Sequence, residues 1–136
     1  MDAVRGVQLV DLDRITDSRG SLLAFGNKSP IRFEIKNVYF ILDCPPKAIR
    51  GEHASSGDQV FIALRSTVTV DLDNGSEQGS HRLTGPDTGL LLKAGVWIRL
   101  REFSSETALV VLSSKAYADI EHFQGPNPAL LGVAER

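Results

Sequence analysis

Residues 50–55 read Arg-Gly-Glu-His-Ala-Ser and lead into an apolar run, Val60–Leu64. His53 in such a stretch has three possible roles. It is a catalytic base, one ligand of a metal site, or a polar residue hydrogen-bonded beside a turn. A neutral imidazole suits the first role, because its reference pKa of about 6.5 lies near working pH. On a regular extended strand Arg50 and Gly51 point to opposite faces, and His53 and Ser55 share one. A His-x-His pair there would begin a metal site, but the second place is Ser55. The other histidines, His81 and His122, fall in a hairpin region and in the tail. Zinc or iron needs three or four protein ligands on converging elements. No metal site and no cofactor are therefore expected.

Other side chains could meet a ligand. In FEIKNVYFILD, residues 33–43, alternation sets Phe33, Ile35, Asn37, Tyr39 and Ile41 on one face. Tyr39 is either an amphipathic core residue with its hydroxyl at the edge or a donor to a sugar or phosphate oxygen. Arg50 either forks onto a phosphate group or makes a rim ion pair. Arg19 lies in a Ser-Arg-Gly turn, Asp17–Gly20, and serves that turn or meets a ligand. Trp97, Arg99 and Arg101 share one strand face, which is either solvated or joins an aromatic plane to two cations for a phosphorylated ligand.

These residues need a scaffold. The chain has 136 residues, 42% apolar and 24% charged, the make-up of one ordinary globular domain. Its core is expected over about residues 5–123, with a loosely packed tail at 124–136. A net charge of −2 gives no footprint for nucleic acid. No apolar run approaches the roughly 20 residues that span a bilayer, so no membrane partner is expected. The opening MDAVRGVQLVDLD has no apolar h-region, so no signal peptide is expected. The single cysteine, Cys44, fits a reducing cytoplasm.

Short apolar segments recur between turn residues, an all-β pattern. Strands are predicted at Val7–Leu12, Ser21–Phe25, Phe33–Leu42, Gln59–Leu64, Val68–Leu72, Gly89–Leu92, Val96–Leu100 and Ala108–Leu112. Asn74-Gly75 predicts a two-residue hairpin to a strand near Gln78–Leu83. Ser114–His122 is expected to make a short helical turn. So many strands must close or stack to remove their edges, so a small, mostly antiparallel β-barrel or double-sheet jelly roll is expected.

TDSRGSL (16–22), FEIKNVYFILD (33–43), RGEHA (50–54), the strand at 59–65 and VWIRLREFSSETALVVLSS (96–114) occur in that order. Over about residues 5–123 they resemble the WxcM-like, FdtA- and QdtA-type nucleotide-sugar 3,4-ketoisomerases of the cupin superfamily. The resemblance implies a small β-barrel, usually a homodimer, that moves the ketone of a dTDP-linked 4-keto-6-deoxyhexose from C4 to C3 without a metal. The products feed deoxysugars of surface polysaccharides. It implies His53 and Tyr39 as catalytic residues, with Arg50, Arg19, Gln59, Ser55, Trp97 and Arg99 near the substrate. Two departures stand out. Where the family reads RG-x-HAH this chain has Ser55, and where it has a Trp-His pair this chain has Trp97-Ile98.

Ketone migration removes the C3 proton, forms an enediol(ate) and protonates C4. If both transfers use one face of the sugar, His53 alone can serve. If they use opposite faces, two groups are needed, and a serine hydroxyl without an adjacent base cannot deprotonate carbon. The readings in play are the isomerase, a non-catalytic cupin that binds a dTDP-sugar, and a sugar epimerase.

Overall fold

The computed structural model describes residues 4–24 and 31–134. They form β1 (Val7–Asp11), β2 (Asp13–Asp17), β3 (Gly20–Ala24), β4 (Asn37–Leu42), β5 (Arg50–Ser55) and β6 (Gln59–Ala63). There follow β7 (Thr67–Asp73), β8 (Gln78–Thr84), β9 (Thr88–Leu92), β10 (Trp97–Arg101) and β11 (Ala108–Ser113). A 3-10 turn at Tyr117–Asp119, a two-residue β12 (His122–Phe123) and helix α1 (Pro128–Ala134) complete the order.

The strands make two five-stranded antiparallel sheets, β1-β9-β6-β11-β4 and β12-β5-β10-β7-β8, and β2 and β3 pair as a separate ribbon. The period of two explains the packing. Val68, Val70 and Leu72 of β7 turn inward with Ile98 and Leu100 of β10, against Phe61, Leu90, Leu109 and Val111 of the first sheet. Each such side chain contributes roughly 1.5–3 kcal/mol on full burial. This is the double-sheet form of the expected jelly roll, not a closed hydrogen-bonded barrel.

Several boundaries differ from expectation for local reasons. The strand predicted over Phe33–Leu42 begins at Asn37. Ile31 and Phe33 instead pack on an outer cluster around Val60, Ile62 and Leu112. The end of the strand predicted at Ser21–Phe25 lies outside the described residues. The β7–β8 connection is not a two-residue turn. It spans residues 74–77, because the buried Asn74 carboxamide oxygen accepts from the backbone of Ser76 and Glu77 at 2.9 and 2.7 Å, and only Gly75 of the pair has positive φ. Of the helical turn expected over Ser114–His122, only Tyr117–Asp119 is helical, and His122 is in a strand. The described part of the tail is not loose either. Leu131 of α1 is fully buried in the main core, and the Asn127 amide donates to the Gly95 carbonyl at 2.8 Å.

Candidate active site

A cavity of about 300 Å³ opens between the two sheets. Tyr39 and Phe61 line it from the first sheet, and Arg50, His53 and His122 from the second. Tyr117 of the 3-10 turn closes one side.

The strand carrying Arg50 and His53 is irregular. In the β5–β10 pairing Arg50 opposes Leu100, Gly51 opposes Arg99, and His53 opposes Ile98. Glu52 is the extra residue of a β-bulge, with Gly51 at φ 81° and Glu52 at φ 61°. Ile98 and Leu100 both point inward, so their partners His53 and Arg50 do too. Regular alternation sets Arg50 and His53 on opposite faces, and the bulge brings them together. Gly51 is needed here, since an added Cβ would sit 3.1 Å from the Ile98 carbonyl oxygen.

His53 is half-buried, and its Nδ1 has no hydrogen-bond partner among the described residues. Burial, and after it the charge of His122, holds its imidazole below the ordinary value of 6.5. A neutral ring is therefore available at neutral pH. Across the cavity the Tyr39 hydroxyl oxygen accepts a hydrogen bond from Gln59 Nε2 at 2.9 Å. Burial pushes the Tyr39 phenol up, ahead of the opposing effect of the Gln59 bond, so it keeps its proton to donate. Gln59 is buried on β6, and its side chain reaches the cavity only through this bond to Tyr39.

The other candidates lie elsewhere. Ser55 is buried, and its Oγ accepts from the Gly57 amide at 3.0 Å, which makes it a turn residue. Trp97 and Arg99 sit on the opposite face of β10, lining an outer cleft with Asp71 and Arg101. There the Arg99 guanidinium lies 5.7 Å from the Trp97 ring centre, and Arg99 and Arg101 donate to Asp71 at 2.9 and 2.7 Å. Arg19 is exposed at the tip of the β2–β3 ribbon and pairs with Asp17 at 2.6 Å. The structure thus groups His53, Tyr39 and Arg50 and leaves Trp97, Arg99 and Arg19 out of their cavity, because strand parity and the detached ribbon turn them away. His122, placed in the tail by sequence reasoning, belongs to the cavity. Among the described residues no group of three His, Cys, Asp or Glu side chains could hold a metal ion. No helix among them is long and apolar enough to cross a membrane.

Comparison with known proteins places the chain and its fold in a family. The chain is 34% identical over 118 residues to a TDP-4-oxo-6-deoxy-alpha-D-glucose-3,4-oxoisomerase of Aneurinibacillus thermoaerophilus, spanning 86% of this chain and 85% of that protein. Its fold matches the WlaRB TDP-quinovose 3,4-ketoisomerase of Campylobacter jejuni with a TM-score of 0.83 and 32% identity, over 90% of this chain and 95% of that one. It also matches a mutant of the 3,4-ketoisomerase QdtA of Thermoanaerobacterium thermosaccharolyticum, solved in complex with TDP-4-keto-6-deoxyglucose, with a TM-score of 0.80, 30% identity and 88% of each chain covered. The family model described as FdtA: WxcM-like, C-terminal matches residues 5–127. The chain belongs to this FdtA, WxcM-like C-terminal family.

Proposed function

We propose that this chain is a nucleotide-sugar 3,4-ketoisomerase that converts a dTDP-4-keto-6-deoxyhexose to its 3-keto isomer in deoxysugar biosynthesis. The observation that carries this reading is the convergence of a neutral His53 and a protonated Tyr39, from opposite sheets, on one cavity. His53 takes the proton from C3, next to the carbonyl. The C3–H bonding pair becomes the C3=C4 double bond, and charge moves to the C4 oxygen. Tyr39 donates a hydrogen bond to that oxygen, where a preorganised donor is worth most. Arg50, at the start of β5 and exposed, holds the diphosphate through its forked donors. The cavity is of a size for one hexose, which leaves the nucleotide outside it on the Arg50 side.

A single cupin domain, a cytoplasmic setting, a homodimer and a role in polysaccharide synthesis complete the reading. The dimer is supported by the outer face of β4, where Val38, Phe40 and Leu42 are 48%, 62% and 58% exposed. Sedimentation should give twice the chain mass, and Phe40→Asp should shift it toward the single chain.

Incubation with dTDP-4-keto-6-deoxyglucose in D2O, followed by NMR at C3 and C4, tests the activity. Deuterium at C3 and a 3-keto product are expected. Binding of dTDP with neither would leave a sugar-binding module, and inversion at C3 without ketone migration would leave an epimerase.

A further inference from the structure

His122 sits in two-residue β12, whose pairing with β5 sets His122 opposite Ser55 and Phe123 opposite Ala54. Residues opposite each other on paired strands share a face. Beyond the bulge, Ser55 and His53 share the inner face of β5. His122 is therefore the diagonal neighbour of His53, and their ring centres lie 4.3 Å apart with the planes tilted by 54°. Both rings line the same cavity. The Ser55 hydroxyl oxygen accepts from the Gly57 amide at 3.0 Å.

We propose, resting on the ketoisomerase reading above, that His122 is a second catalytic residue and delivers the proton to C4 after His53 has removed the one at C3. Two imidazoles this close, on one wall, can each address one of two bonded carbons without the sugar turning over. The balance is complete within the site. His53 gains the C3 proton. The O3 proton passes to O4, the C3 carbonyl forms, and the C3=C4 pair takes a proton from the His122 imidazolium. His53 now carries one proton more and His122 one fewer, and transfer between the neighbouring rings or through solvent resets the pair. No oxidant or reductant is involved.

The surroundings support this division. His53 is the more buried ring and His122 is exposed. A positive His122 acts to keep His53 neutral, which is the charge state the first step needs. The remaining groups around the cavity that carry charge or titrate are Arg50 on β5, Tyr39 on β4 and Tyr117 on the 3-10 turn.

The test follows deuterium at C3 and the 3-keto product separately, with dTDP-4-keto-6-deoxyglucose in D2O and dTDP binding measured alongside. His53→Asn should lose both signals and keep binding. His122→Asn should keep exchange at C3, which also reports an intact site, while product formation falls about 100-fold or more. For His122→Ala, added imidazole should restore product, since the position is open to solvent. Product at the wild-type rate in His122→Asn overturns the proposal. So does loss of C3 exchange together with product, or failure of imidazole to rescue. A wild-type protein that binds dTDP but neither exchanges nor converts brings down the ketoisomerase reading itself, and this assignment with it.

Discussion

Arg50 and His53 face the same cavity because Glu52 is an extra residue between them in β5. The bulge is built from two consecutive left-handed residues, Gly51 and Glu52, in a strand that is otherwise extended. It aims the proposed phosphate-binding residue and the proposed proton acceptor at one cavity. Two backbone conformations thus decide whether the site exists.

Altering those two conformations should have opposite effects. Gly51→Ala forces a Cβ onto the Ile98 carbonyl and a side chain into φ 81°, and should destabilise the fold by about 1–2 kcal/mol. Glu52→Gly relieves the left-handed strain at φ 61° and should raise stability slightly, by less than about 1 kcal/mol. Deleting Glu52 restores regular alternation, so dTDP affinity should fall as Arg50 turns outward. Chemical denaturation and calorimetric titration measure the three variants.

The pH dependence follows from His53. Its imidazole is held below 6.5, so the native state binds its proton later than the unfolded chain does as pH falls. The base form, and the stability tied to it, persists at and above 6.5 and is lost as pH falls below that value toward the folded pKa. The acid limb of C3 exchange against pH should therefore lie below 6.5. His122→Asn removes a positive neighbour and should move that limb upward. The move should be partial, because burial is the larger cause.

Tyr39→Phe deletes the hydroxyl and little else. The turnover rate should drop about 100-fold, within the range for loss of one oxyanion donor, and stability should fall by about 1–3 kcal/mol because the buried Gln59 Nε2 loses its acceptor. Gln59→Leu leaves the phenol in place but removes its hydrogen bond, the one influence that lowers the Tyr39 pKa. Its loss in rate should be smaller, with any alkaline limb due to Tyr39 shifted to higher pH.

On the outer face of the second sheet, Asp71 is a structural anchor. Burial pushes its carboxyl up, but hydrogen bonds from Arg101, Ser80 and Arg99 outweigh that and bring it down to about 2. The stability it contributes is present above the ordinary value of 3.8 and is lost as pH falls toward 2. Asp71→Asn should cost about 1–2 kcal/mol at pH 7, trimmed by the open arginine ends, and progressively less below pH 4. Urea titrations at several pH values read this directly.

Leu131→Ala should destabilise the protein by about 2–5 kcal/mol, because it empties a fully buried site in the main core. A loosely held tail would show no such loss.

Much of this is legible in the residues. The alternation of Val68, Val70 and Leu72, and of Ile98 and Leu100, marks the core faces of β7 and β10, since a period of two is a local property. His53 and Tyr39 stand out by residue type, motif and family resemblance. What stays hidden depends on pairing between distant segments. Strand parity misassigns Arg50 because a bulge leaves no mark in a pattern of apolar residues. His122 reaches the cavity only through its register with Ser55, and no spacing rule connects the tail to β5. Leu131 reads as part of a loose end because its burial is a tertiary fact. Trp97 and Arg99 have the right chemistry for a nucleotide, but the parity of β10 turns them to Asp71.

The second ring hangs on a segment synthesised after every other strand of both sheets. β12 has one neighbouring strand, and the Glu121 amide and carbonyl clip onto Ser56 at 2.9 Å each. Downstream, Asn127 fastens to Gly95 and Leu131 sinks between the sheets. A nascent chain can zip both sheets together while this clasp is still unmade, and only its closing brings His122 beside His53. Enzymatic competence would then arrive late in biosynthesis, after the scaffold has already formed.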